Sequence, residues 1–172
     1  MNRKVKIVVD DSGKKLVQID EIIFMGKQNI DWKGVEKYLK KYIKEFYEIT
    51  ETKDVIYIGS ELPDEYTNSK YSLKLKGALA KAKANAAQAI PEMIQISTNK
   101  VLRENLEDKH KQNAKLGWYR FDTRFSIPVC DNQGTVLRYN VFHARLIIRH
   151  AANNKKYLYD VINIKKETEY TV

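Results

Sequence analysis

One histidine and four arginines lie two or four residues apart within two segments near the carboxyl end of the chain. Alternate residues of a β-strand project to the same face, so these side chains would share one face of a sheet. Imidazole exchanges protons near neutral pH, and guanidinium groups bind phosphate. The set, carried by two candidate strands, consists of Arg120, Arg124, His143, Arg145 and Arg149. The pattern predicts a cationic sheet face that carries one titratable side chain.

These side-chain types suit the cleavage of RNA without a metal ion. That reaction needs a base for the 2′-hydroxyl proton, an acid for the leaving oxygen, and cations for the charge that builds on the phosphate. His143 is the candidate base, and Arg145 is the candidate phosphate contact. Tyr157 and Tyr159, on the next candidate strand, offer a hydrogen-bond donor or a ring that stacks on a base, and Tyr159 is the catalytic candidate of the two. The alternative is a solvated face whose arginines only bind backbone phosphates or keep the surface polar.

A second group of cations lies on a predicted alanine-rich helix that spans residues 70–89. This segment contains no acidic residue, whereas charged helices commonly pair lysine with an acid one turn away. The lysines are Lys70, Lys74, Lys76, Lys81 and Lys83. We expect them to line a phosphate-binding groove.

The overall charge favours a polyanionic partner. The 172 residues carry a net charge of +9, and 43% of them are hydrophobic, as in a globular domain. Nucleic acid, RNA in preference to DNA, is the first candidate partner, and a host protein or nucleoprotein is the second. Cys130 is the single cysteine, which excludes an intrachain disulfide and fits a reducing, cytoplasmic setting. No apolar run reaches the length of a signal peptide or a membrane span, so we expect no membrane contact.

Motifs for the common cofactors and metals are absent from the sequence. It contains no Walker loop, dinucleotide fingerprint, zinc-protease motif or calcium loop, so we predict no cofactor. His110 lies near three acids in a polar segment, but such acids more often pair with lysine and arginine at helical spacing than bind a metal. Those acids are Glu104, Glu107 and Asp108. We therefore predict no metal site.

Three candidate strands position the arginine and histidine face. Segments 118–129, 137–150 and 156–164 alternate apolar and polar residues, and turn-forming residues separate them at 131–134 and 151–155. They predict an antiparallel meander, whose third strand would bury Leu158, Ile162 and Ile164.

The remainder of the chain predicts short strands and two long helices. The predicted strands are 4–9, 15–19, 21–26, 54–59 and 93–97, and the predicted helices are 31–47, 70–89 and a polar helix at 99–114. The tail at 167–172 is expected to be frayed. Together these elements predict a single α+β domain, in which a mainly antiparallel sheet ends in the meander and carries two principal helices on one face. Residues 1–98 would form the hairpin and helices, and residues 99–172 the polar helix and meander.

Most of the chain also resembles a family of proteins carried by phages, conjugative elements and their low-GC Gram-positive hosts. The resemblance lies in NIDWKGVEKYLKKYI, DVIYIGSELPDEY, KLKGALAKAKANAAQ with IPEMI, GWYRFDTRF, NVFHARLIIRH and YLYDVINIKKE. The last 60 residues or so also resemble the C-terminal sheet of the barnase, EndoU and colicin-like nucleases.

This second resemblance implies a metal-independent ribonuclease, a toxin of a mobile element, with His143 and Arg145 at its site. The sequence departs from the pattern in lacking an evident second catalytic histidine and the usual terminal Ser or Thr, for which Thr168 is the available residue. The alternative function is a phage counter-defence inhibitor or accessory module that binds a host protein or nucleoprotein without catalysis.

Overall fold

The structure, a computed structural model, describes residues 3–103 and 116–172. The strands of the described residues are β1 (Val5–Val9), β2 (Lys15–Ile19), β3 (Phe46–Glu48), β4 (Val55–Tyr57), β5 (Thr98–Arg103), β6 (Gly117–Cys130), β7 (Val136–His150) and β8 (Lys156–Thr171). The helices are α1 (Trp32–Leu39), α2 (Leu62–Asn68), α3 (Lys70–Lys74), α4 (Ala78–Ala86) and α5 (Ile90–Gln95), with short 3₁₀ turns at Lys40–Tyr42 and Ala87–Ala89. The predicted α+β class is confirmed.

The predicted meander of β6, β7 and β8 forms the centre of the sheet. Its strands pair antiparallel and in order, and Asp131 closes the first turn by accepting hydrogen bonds from the backbone of Gln133 and Thr135. Gly134 in that turn has a φ of +84°, which glycine adopts without strain. Strand β8 runs to Thr171, so the prediction of a frayed tail is wrong. The tail is polar because it pairs with β7 as a partly solvated strand.

A bulge in β8 changes which of its side chains face the core. The register shifts between the pairs Ile147 with Asp160 and Ile148 with Leu158, so one extra residue enters β8 there. Leu158, Val161 and Ile164 are buried, whereas Ile162 is half-buried. The predicted burial of Ile162 is wrong because strict alternation cannot cross a bulge.

The first hairpin and one short strand complete the sheet as parallel neighbours. β1 and β2 pair antiparallel as predicted, around a turn held by the Asp10 carboxylate. β2 then pairs parallel with β6, and β4 pairs parallel with β8. The sheet order is β1-β2-β6-β7-β8-β4-β3, with β5 also paired to β6. The sheet is therefore mixed rather than mainly antiparallel, because long connections let β2 and β4 dock beside distant strands.

The first predicted helix is shorter than expected. Of the two polar residues that could cap α1, Asn29 and Asp31, it is Asp31 that accepts a hydrogen bond from the Gly34 backbone N–H. The helix ends after the turn at Lys40–Tyr42, and the chain then forms edge strand β3. Phe46, which lies within the predicted helix at 31–47, is 61% exposed on that strand.

The predicted helix at 70–89 is broken into pieces. Gly77 interrupts it with a φ of +67°, outside the helical region, and α4 begins at the next residue. The predicted strand at 93–97 is also wrong. Residues Ile90–Gln95 form α5, with Pro91 in the first turn, where the missing backbone N–H of proline is tolerated.

Two further predictions fail or fall outside the described residues. Segment 21–26 is not a strand. The backbone N–H groups of Ile23 and Phe24 donate hydrogen bonds to the Asn85 side-chain oxygen, at 3.0 and 3.1 Å, instead of to a neighbouring strand. Residues Thr98–Arg103, expected to begin a polar helix, form β5 beside β6. The rest of that predicted helix, including His110, lies outside the described residues.

One hydrophobic cluster packs the helices against the sheet. It joins the buried alanines of α4 to Phe121, Phe125 and Phe142 of the meander, and it includes Val17 of the first hairpin. Small alanine side chains allow α4 to approach the sheet closely. Within the described residues, no helix is both long and apolar enough to cross a membrane.

Candidate functional site

A cavity of about 850 Å³ opens on the central strands. Its rim comes from the turn of the first hairpin, residues 13–15, from Thr50 and Glu51, and from segment 95–98 between α5 and β5. Its charged or titratable lining residues are Lys14, Lys15, Glu51, Asp122, Arg124, His143, Arg145 and Lys165. Cations outnumber carboxylates among these side chains, so the cavity suits an anionic ligand.

The cavity contains a row of basic side chains that crosses three strands. Arg124 of β6 pairs in register with His143 of β7, and His143 pairs with Lys165 of β8. Opposed residues of antiparallel strands project to the same face, with Cβ atoms about 5 Å apart. The imidazole therefore lies between two cations, and its side chain is 48% exposed. A phosphate that contacts both cations would lie next to a group able to exchange protons.

Two carboxylates hold the Arg124 guanidinium in place. Glu167 accepts hydrogen bonds at 2.8 and 3.1 Å, and Asp10 lies 2.9 Å away on the other side. Hydrogen bonds from the Ser12 hydroxyl and the Lys14 backbone, followed by the contact with Arg124, hold the pKa of the Asp10 carboxyl well below its usual range. The turn of the first hairpin is thereby attached to the meander.

Glu167 also faces the histidine. Its carboxylate lies 3.8 Å from His143 Nδ1, which is beyond hydrogen-bond distance but close enough for electrostatic attraction. His143 Nε2 makes no hydrogen bond with any described residue, and the ring lines the cavity. A histidine whose Nδ1 faces a carboxylate and whose Nε2 is unpaired is suited to transfer protons at Nε2.

Arg145 belongs to the next register pair on the same face of the sheet. Its Nε lies 3.6 Å from the carboxylate of Asp122, its partner on β6, and both side chains are more than 40% exposed. Asp122 also accepts a hydrogen bond from the Asn99 side chain at 2.9 Å. The long separation in the exposed Arg145 pair leaves the guanidinium able to bind a ligand oxygen.

The structure brings together only part of the predicted site. His143, Arg145 and Arg124 line the cavity, but Tyr159 does not. Tyr159 packs edge-on against Trp118, with ring centroids 5.0 Å apart. Burial, followed by the nearby Glu65, raises the pKa of the Tyr159 hydroxyl. Because the register places Tyr159 at the level of Ile147 and Ile148, several residues along the sheet from His143, the structure does not support a role for Tyr159 beside His143.

The other arginines of the predicted face lie farther along the strands. Arg120 pairs in register with Ile147 and does not line the cavity. Arg149 donates hydrogen bonds to Glu61, and its guanidinium carbon lies 4.2 Å from the centre of the Tyr157 ring. Arg149 and Tyr157 therefore belong to a separate region of the same sheet face.

The lysines predicted to bind phosphate lie away from this cavity. Lys70, Lys74 and Lys76 are exposed and Lys81 is half-buried, and these residues do not line the cavity. Lys83 is fully buried and donates hydrogen bonds to Asp160 at 2.7 Å and to Ser72 at 2.6 Å. The prediction that Lys83 contacts phosphate is wrong, because the β8 bulge places a buried carboxylate against α4.

Sequence reasoning missed the part of the site that lies beyond residue 164. The predicted third strand ends at residue 164, before Lys165, and Glu167 falls in the segment predicted to be frayed, although Thr168, Tyr170 and Thr171 favour β structure and indicate a longer strand. No local sequence pattern indicates that Lys15 and Asp10 lie near the cavity, since it is the parallel pairing of β2 with β6 that brings their hairpin there. Within the described residues, no group of three or more His, Cys, Asp or Glu side chains could hold a metal ion.

Comparison with known proteins finds no matching family model, no matching curated protein and no matching solved structure. Function must therefore be inferred from the cavity itself.

Proposed function

We propose that the protein binds single-stranded nucleic acid in this cavity and cleaves RNA without a metal ion. The observation that carries the proposal is the cross-strand row of Arg124, His143 and Lys165 on one wall of the cavity. A general base placed between cations is the arrangement that 2′-hydroxyl attack on the neighbouring phosphate requires. The resemblance to phage and conjugative-element proteins supports a setting in which this nuclease acts as a toxin of a mobile element.

The side chains of the row, together with Arg145 and Glu167, have the following parts in the proposed reaction. His143 Nε2 takes the proton of the 2′-hydroxyl as its oxygen attacks phosphorus, and Glu167 stabilises the imidazolium that results. Arg145 and Arg124 stabilise the negative charge that develops on the phosphate oxygens. Lys165, the neighbour of His143 on β8, donates a proton to the leaving 5′-oxygen. The products are a 2′,3′-cyclic phosphate and a 5′-hydroxyl end.

The test is cleavage of a mixed RNA pool in the presence of a chelator. We expect the wild type to cleave, and His143→Ala to lower the rate by about 10²–10⁴-fold, the usual contribution of a general base. His150→Ala is the matched control, because His150 lies outside the cavity and contacts Asn154 at 2.8 Å. Equal rates for wild type and His143→Ala would exclude His143 as the base.

Binding without cleavage is the second candidate function. It is favoured by one observation, namely that His143 is the single imidazole among the described lining residues, whereas cleavage needs both a base and an acid. Tight, salt-sensitive RNA binding by wild type and His143→Ala alike, with no cleavage by either, would establish a binding module. Absence of RNA binding by either protein would reject RNA as the partner and favour a host protein.

A further inference from the structure

Three aromatic rings and one arginine form a row across four neighbouring strands, away from the cavity. Phe46 of β3 pairs in register with Tyr57 of β4, Tyr57 with Tyr157 of β8, and Tyr157 with Arg149 of β7. Ring centroids are 5.4 Å apart in the first pair and 6.0 Å apart in the second. We refer to Phe46, Tyr57, Tyr157 and Arg149 as the aromatic row.

The aromatic row is placed on the surface, not in the core. Phe46 is 61% exposed, Tyr57 and Tyr157 are half-buried, and none of the three belongs to the described hydrophobic cluster. Single exposed apolar residues are common, but an aligned series on adjacent strands is a typical feature of binding surfaces.

Cations accompany the rings. The Arg149 guanidinium lies 4.2 Å from the Tyr157 ring centre, and Lys155 Nζ lies 4.9 Å from the Tyr57 ring centre. Lys155 is exposed and contacts no carboxylate among the described residues. A surface of aromatic faces with adjacent positive charge matches a ligand that has flat rings and a negative backbone.

We propose that the aromatic row is a stacking surface for unpaired bases of single-stranded RNA, separate from the cavity. Every base offers a π-face to an aromatic side chain, whereas a duplex hides these faces within its stack. Lys155 contacts the phosphates of the strand whose bases stack on Phe46 and Tyr57. The row therefore selects single strands without reading their sequence.

The aromatic row and the cavity lie on one face of the meander. Pairing of β6 with β7 is regular from Gly117 to Val129, so Arg149 and His143 project to the same side. Six residues separate them along β7, which is about 20 Å of strand, or roughly six stacked nucleotides. In this respect the inference rests on the proposed function, because one RNA strand would reach both sites.

The test measures binding of RNA strands of two lengths to proteins in which His143→Ala prevents cleavage. We expect Phe46→Ala and Tyr57→Ala each to weaken binding of a strand of about twelve nucleotides roughly 5-fold or more, and to leave a trinucleotide unaffected. Phe46→Trp should retain the wild-type affinity, since it keeps a stacking ring. Leu73→Ala is the matched control, because Leu73 is 66% exposed but lies on α3, outside the row.

Unchanged affinity of Phe46→Ala and Tyr57→Ala for the longer strand would overturn the inference. A shift of these variants from dimer to monomer in light scattering, with RNA affinity unchanged, would also overturn it and would identify the face as a contact between two copies of the chain.

The proposed cleavage in the cavity and the proposed stacking on the aromatic row can be rejected independently of each other. Trinucleotide cleavage by protein with intact His143 tests the cavity alone, whereas binding of the longer strand tests the row. Ring-dependent binding of the longer strand without any cleavage would support the aromatic row and reject the proposed reaction.

Discussion

At the scale of single residues, Lys83 and Asp160 form a buried ion pair between α4 and β8. The Lys83 side chain is 0% exposed, and the Asp160 side chain is 5% exposed. Burial lowers the pKa of the Lys83 ammonium and raises that of the Asp160 carboxyl, and the attraction between the two charges opposes both shifts. The Ser69 and Ser72 hydroxyls and the Val161 backbone N–H complete the hydrogen bonds of the pair. The charges are tolerated because each group is hydrogen-bonded both to the other and to a neighbouring hydroxyl or backbone group.

Removing one member of this pair should therefore be costly. We expect Asp160→Asn to lower the free energy of unfolding by about 3–5 kcal/mol, because the buried Lys83 ammonium loses its counter-charge. Urea unfolding at neutral pH measures the effect.

The double variant Lys83→Met with Asp160→Leu is the control for this prediction. It should be less destabilised than the sum of the two single changes, since no uncompensated charge is left. Strictly additive losses would show that the two side chains do not stabilise one another.

At the scale of elements, Asp54 joins three strands that are distant in the sequence. It immediately precedes β4, and its carboxylate accepts a hydrogen bond from Lys156 of β8 at 2.6 Å and from Lys100 of β5 at 2.9 Å. Burial alone would raise the pKa of Asp54, but the hydrogen bonds from Lys156, Thr52 and Lys100 together lower it to about 2. The carboxylate form is thus favoured by folding.

The contribution of Asp54 should disappear in acid. A carboxyl whose folded pKa lies below its unfolded value of 3.8 stabilises the fold above that value, and the stabilisation is lost as pH falls towards 2. We expect wild type to exceed Asp54→Asn in unfolding free energy by about 1–2 kcal/mol above pH of about 5, and by much less at pH of about 2. Urea unfolding across this range measures the difference.

Removing the donors provides an independent check on this explanation. The variant Lys100→Met with Lys156→Met should lose most of this acid-sensitive contribution while Asp54 and its hydrogen bond from Thr52 are retained. A constant difference between wild type and Asp54→Asn from pH of about 5 to about 2 would contradict the assignment.

At the scale of the whole molecule, some of the positive side chains line the cavity and others lie elsewhere on the surface. The net charge of +9 includes exposed lysines on α1, such as Lys33 and Lys37, which do not line the cavity. Lys15 and Lys165 line the cavity and contact no carboxylate among the described residues. If the cavity binds the RNA backbone, these two pairs of lysines should contribute differently to binding.

The salt dependence of RNA binding distinguishes the two pairs. We expect Lys15→Gln with Lys165→Gln to reduce the slope of log K against log salt by about 1.4, because each lost phosphate contact on a single strand removes about 0.7. Lys33→Gln with Lys37→Gln removes the same net charge and should leave the slope nearly unchanged. Equal reductions by both pairs would mean that RNA binds through overall charge and not in the cavity.

Local sequence patterns were sufficient to predict the hairpin, the helix cap and one face of the meander. Alternation over β6 and β7 predicted the shared face of Arg124, His143 and Arg145, because side-chain direction in a regular strand depends only on residue parity. The turn at Asp10 and the cap at Asp31 were also readable, since each depends on hydrogen bonds between near neighbours in the chain.

The residues that lie next to that face could not be predicted from local patterns. The parallel docking of β2 beside β6, the bulge before Asp160 and the position of Phe46 on an edge strand depend on contacts between residues far apart in the sequence. Such contacts leave no periodic signal in either partner. They brought Lys15 and Glu167 to His143, buried Lys83, kept Tyr159 away from the cavity and aligned the aromatic row, because packing of the whole sheet determines which distant segments become neighbours.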